Sequence, residues 1–111
     1  VNATTESIRE RIEEAASRTR NAPQLKTIAR FVNEQNGYTA TITPFSANAR
    51  FDRSGRRISI RTTTRERIAN RLMVYRTNSN GTFPVYNYDS DDPYYTNNDV
   101  CRWVVRNIIE A

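Results

Sequence analysis

The chain has 111 residues, no histidine, one cysteine and a formal net charge of +5. Without histidine there is no imidazole base, no Ser-His or Cys-His nucleophile and no histidine metal ligand; one cysteine allows neither an internal disulfide nor a four-cysteine zinc site. The length suits one domain around one core, and apolar residues at 37%, against a usual ~45–50%, make that core thin.

Thr4 or Thr5 is placed to cap a first helix, predicted to run to about Arg20. Its apolar stripe (Ile8, Ile12, Ala15, Ala16, Thr19) holds only two large residues. Residues 1–22 are therefore expected as a peripheral helix, beside a main body over 23–111. Pro23 is placed as a first-turn proline of a second helix, predicted to about Gln35. Leu25, Ile28, Ala29 and Val32 form its buried face, and Asn36-Gly37 supplies a left-handed stop.

Tyr38–Thr43 alternates and is rich in strand formers, with Pro44 expected to end the strand. An irregular link, Phe45 to Arg50, leads to the turn Asp52-Arg53-Ser54-Gly55. A second strand is predicted from Arg57 to Thr63, with Ile58 and Ile60 on one face and Arg57, Ser59 and Arg61 on the other. Thr64 to Ala69 reads as a turn or a short helical segment. Leu72–Thr77 and Thr82–Tyr88 are the third and fourth strands, joined through Asn80-Gly81. Pro84 puts the fourth at a sheet edge or a bulge. Thr96 and Asp99, three apart, suit a capping box for the last helix, whose broad face is Val100, Cys101, Trp103, Val104, Val105, Ile108 and Ile109. The expected fold is α+β in the order α-α-β-β-β-β-α, a four-stranded, largely antiparallel sheet packed by the second and C-terminal helices. The order invites comparison with double-stranded-RNA-binding domains, but no cluster of lysines and small residues opens the last helix, which begins Asn97-Asn98-Asp99.

Charge is unevenly distributed. Residues 50–76 hold nine arginines against two acids, whereas residues 77–111 hold two arginines against five acids. Sixteen of the seventeen basic residues are arginine, whose planar fork grips phosphate or carboxylate with two hydrogen bonds. A row of arginines on a turn and strand suits regularly spaced phosphates. Arg53, Arg56, Arg57, Arg61, Arg65, Arg67 and Arg71 are thus the candidate nucleic-acid contacts. An acidic protein surface, or a solvated sheet face with no partner, would look alike in sequence.

The counterpart is the acidic, tyrosine-rich stretch from Tyr86 to Tyr95. Tyr86, Tyr88, Tyr94 and Tyr95 are candidate protein-interface residues, because tyrosine supplies area and a polar tip at low entropy cost. Asp89, Asp91 and Asp92 alternate as calcium ligands can, but the glycine and closing glutamate of an EF-hand are missing. Asp52 and Glu66 are the one acidic pair in the basic field, the residues a metal-dependent nuclease would use. Cys101 reads as a buried small hydrophobe and Trp103 as core.

No apolar run approaches the ~20 residues of a membrane span. The expectation is a small non-enzymatic, cytoplasmic binding protein with no cofactor, no metal and no membrane partner. It would hold nucleic acid on its arginine-rich surface; the alternative is a protein-interaction module, a homo-oligomer or a regulator, using residues 86–95.

Overall fold

The computed structural model describes residues 5–17, 21–46, 49–51, 57–60 and 68–111, with side chains for 6–17, 21–46 and 68–111. In chain order the elements are α1 (Thr5–Ser17), α2 (Leu25–Asn33), β1 (Tyr38–Ser46), β2 (Ala49–Phe51), β3 (Arg57–Ile60), β4 (Ile68–Asn78), β5 (Gly81–Asp89) and α3 (Asn97–Val104). A π-helical turn, Val105–Ile109, continues α3. The class is α+β.

Strand pairing gives a three-stranded antiparallel sheet in the order β1-β4-β5, and a separate two-stranded ribbon of β2 and β3. The four-stranded sheet expected from the sequence is corrected here. The arginine-bearing strand pairs only with β2 among the described residues, and β2 begins inside the stretch Phe45 to Arg50 expected as an irregular link. Lateral partners are invisible in a strand's own alternation, so sheet membership could not be read there.

The two faces of the sheet follow from register. Ala40, Val74 and Tyr86 form one row across the strands; Ile42, Leu72 and Tyr88 form the next. Both rows join the core with Ile28, Phe31 and Val32 of α2 and Val100 and Val104 of α3. On the opposite face Thr39, Thr41, Thr43 and Asn87 are exposed. The register shifts between Val74 and Tyr75 so that Val85 is the extra residue of a bulge, beside Pro84 on an edge strand.

β1 runs through Pro44 to Ser46, beyond the expected stop. Ala40 shows why this is tolerated. Its N–H and C=O point away from β4 and bond to the Asn33 side chain of α2, at 2.7 and 3.0 Å. By the alternation of an antiparallel pair, Pro44 faces the same outer edge and needs no ladder donor. The outer edge of β1 is thus guarded twice, by an amide and by a proline.

α1 packs on α3 and α2. Ile8, Ile12 and Ala15 join the core almost without exposure, although the stripe is narrow. Asn98 and Arg102 of α3 donate to the free carbonyls of Ala15 and Ala16 at the end of α1, at 3.1 and 3.2 Å. A cation at that end also suits the helix dipole. Pro23 stands one residue before the N-cap Gln24, outside the first turn of α2. Gly37 takes a left-handed φ of 84°, and its carbonyl accepts from Thr77 N–H, starting β1 against β4.

Candidate nucleic-acid interface

The β1–β4 pairing ends at Ser46↔Ile68. In the sequence, the ribbon lies beyond that end, between the two strands. Its register is Ala49↔Ile60, Arg50↔Ser59 and Phe51↔Arg57, with a bulge between Arg50 and Phe51. The described part of the basic segment between β1 and β4 is thus an antiparallel pair of short strands. Two paired backbones hold Arg50 and Arg57 at set positions. Arg53, Arg56, Arg61, Arg65 and Arg67 lie outside the described residues, as do Asp52 and Glu66.

Arg71 is described in full, at the root of this arm. Its Nε and Nη2 donate to Asp89 Oδ1 and Oδ2 at 2.8 and 3.2 Å. Its guanidinium carbon lies 5.1 Å from the ring centre of Phe45. The hydrogen bond to Asp89, then that carboxylate's charge, raises the Arg71 pKa further. One side chain therefore links β1, β4 and β5 where the ribbon departs. Its fork is already engaged, so a phosphate here would compete with Asp89.

The acidic stretch starts at the same end of the sheet. Ser90 N–H donates to Asn70 O and Asn70 N–H to Ser90 Oγ, both at 2.9 Å. Asp92 Oδ1 accepts from the N–H groups of Tyr94 and Tyr95 at 2.8 and 3.0 Å. Asp99 Oδ2 accepts from Thr96 N–H at 2.7 Å, completing the expected capping box, while Asp99 Oδ1 accepts from Arg102 at 2.7 Å. These carboxylates hold turns and caps. Among the described residues no three acids or thiols converge as metal ligands would.

The four candidate interface tyrosines separate. Tyr88 is 7% exposed, and its hydroxyl donates to Tyr95 O at 3.3 Å. Burial, then the charge of Asp92, raises its pKa. Tyr86 stacks on Trp103 with ring centres 4.4 Å apart and planes at 19°. Burial pushes its phenol up to about 12, helped by the charge of Asp99. Both alternate inward with the pleat, Tyr88 buried and Tyr86 partly buried. Tyr94 and Tyr95 do face solvent, at 87% and 59% exposure. Cys101 is buried, and desolvation raises its thiol to about 12, which suits a core residue.

A feature the sequence did not reveal is a shallow cleft of about 540 Å³, where Tyr86 of β5 and Trp103 of α3 line one wall with Tyr95, Arg102 and Arg106 nearby. The signal was the inward phase of Tyr86, readable only once β5 is an edge strand beside α3.

No family model matches the chain, and neither the curated proteins nor the solved structures compared with it give a match. Among the described residues no helix is long and apolar enough to cross a membrane.

Proposed function

We propose that this protein binds nucleic acid through the arginine-rich arm that grows from the β1–β4 hairpin. The observation behind this reading is the β2–β3 ribbon, which pairs with itself and stands outside the helix-covered sheet. A basic run on an unstructured tail has no set spacing. A paired ribbon fixes the spacing of its backbone before any partner arrives, which lowers the ordering cost of binding. Arg53, Arg56, Arg57, Arg61, Arg65 and Arg67 would neutralise phosphates, and Arg71 would brace the root while contributing through its exposed edge. No catalytic role is part of this reading.

The test must separate the arm from net charge. Replacing Arg53, Arg56, Arg57 and Arg61 by alanine should abolish a gel shift with a mixed-sequence probe. Replacing four arginines elsewhere (Arg9, Arg11, Arg30 and Arg106) removes the same charge and should leave most of the shift. Equal losses in the two variants would defeat the arm reading.

A second reading has its own observation. Tyr94 and Tyr95 are exposed and their backbone is set by Asp92, so they form a pre-ordered aromatic pair suited to a protein partner or a second copy of this chain. Sedimentation at low and high salt tests self-association through it, and a strict monomer in both removes that version.

A further inference from the structure

Among the candidate arginines only Arg71 has a described side chain, and its fork is already filled. The register explains why. Ala40 turns its backbone away from β4, so Val74 opposite it turns towards β5, and Leu72 and Asn70 do likewise by alternation. The bond from Ser90 N–H to Asn70 O agrees with this phase. Arg71 and Asp89 therefore face each other as a non-hydrogen-bonded pair, the kind in which opposed side chains stand closest.

Asp89 is also fixed from behind. Its carbonyl accepts from Asp92 N–H at 3.0 Å, and Ser90 next to it is tied to Asn70 through both backbone and hydroxyl. The carboxylate thus stands at a set place opposite the guanidinium and takes Nε and Nη2 together. Arginine grips a phosphate with the same two-bond fork. One pair of donors cannot serve both anions at once.

The guanidinium has a second anchor that does not depend on the carboxylate, because the Phe45 ring centre lies 5.1 Å away on β1. The pair lies on the face of the sheet opposite the helices, where Thr43 beside Arg71 is exposed. The Arg71 side chain is 51% exposed and that of Asp89 19%, so the arginine is the more accessible partner. An ion pair this open to water is worth up to about fivefold in an equilibrium constant, weak enough for a polyanion to contest and strong enough to matter.

We infer that Asp89 is a resident stand-in for phosphate: it fills the Arg71 fork, withholds that arginine from the polyanion and holds the affinity of the arm below what its arginines allow. This rests on the nucleic-acid reading above, and the experiment separates the two. Wild type, Asp89→Asn, Arg71→Ala and the double variant are titrated with a labelled DNA duplex by fluorescence anisotropy at several salt concentrations. Asparagine keeps the shape of the side chain and removes its charge. A urea midpoint common to the four proteins verifies that all are folded.

Asp89→Asn should tighten binding about fivefold at low salt. It should also steepen the slope of log affinity against log salt by about 0.9, the value of one more phosphate contact. In the Arg71→Ala background the same substitution should leave the slope unchanged and the affinity within about twofold. An equal gain without Arg71 would overturn the inference, because loss of a negative charge near the partner would then explain it. No gain, or a loss, in Asp89→Asn would overturn it too and leave the pair as a brace. Binding by none of the four would overturn the nucleic-acid reading itself.

Discussion

Arg71 on β4 and Asp89 on β5 stand directly opposite each other and are joined by two hydrogen bonds, with the Phe45 ring of β1 beneath the guanidinium. This contact ties all three strands together at the point where the basic arm leaves the sheet. Arg71 is 51% exposed, and exposed ion pairs add little to global stability. Its effect should therefore be local. Arg71→Ala should speed amide hydrogen exchange at Asn70 and Ser90 while barely moving the urea midpoint. A large global loss with no local change would show that the pair serves the whole fold instead.

Asn33 closes the outer edge of β1 by pairing with both backbone groups of Ala40. Asn33→Ala frees a donor and an acceptor beside the core. The expected cost is about 1–2 kcal/mol in urea unfolding. The freed edge should also promote association by strand pairing, seen as oligomers in sedimentation. A stable, strictly monomeric variant would mean that Pro44 guards the edge alone.

Cys101 and Tyr86 hold their protons more tightly in the folded chain than in the unfolded one, at about 12 against ordinary values of 9.0 and 10.0. The unfolded chain ionises first, so their contribution is complete below about pH 9 and is lost as pH rises towards 12. Urea midpoints should fall across that window. Cys101→Ala should remove the part of the fall that begins near pH 9 and leave the part that begins near pH 10. An unchanged onset would assign the loss to other groups.

Among the described residues, the buried core cluster lies in α1–α3 and the three-stranded sheet. Replacing residues 47–67 by a two-residue Asn-Gly turn should therefore leave a folded protein, because Ser46 and Ile68 already face each other in register. Circular dichroism and cooperative urea unfolding check the fold. The variant should have no nucleic-acid affinity, and retained affinity would place the site elsewhere. For contrast, Leu72→Ala in the core should cost about 2–5 kcal/mol.

What the sequence made legible was local. α2, the Thr96–Asp99 capping box, the Asn80-Gly81 turn and the edge position of Pro84 all rest on interactions within a few residues. What it hid depended on distant neighbours. Pro44 reads as a strand end until Asn33 and β4 define which edge it faces. Ile68 and Leu72 stand at helical spacing, yet β4 begins at Ile68, where pairing with Ser46 decides the matter. Val105–Ile109 reads as plain helix, but as a π turn it brings Val105, Ile108 and Ile109 against one core. The arginines were visible as a cluster; that their strand leaves the sheet for a ribbon was not.

Salt dependence tests most directly whether the arm neutralises phosphates. Fluorescence anisotropy with a DNA duplex at several salt concentrations gives the slope of log affinity against log salt. Six arginines on phosphates predict a slope of about −5, falling towards zero in the variant lacking residues 47–67. No binding at low salt, or binding indifferent to salt, would contradict the account.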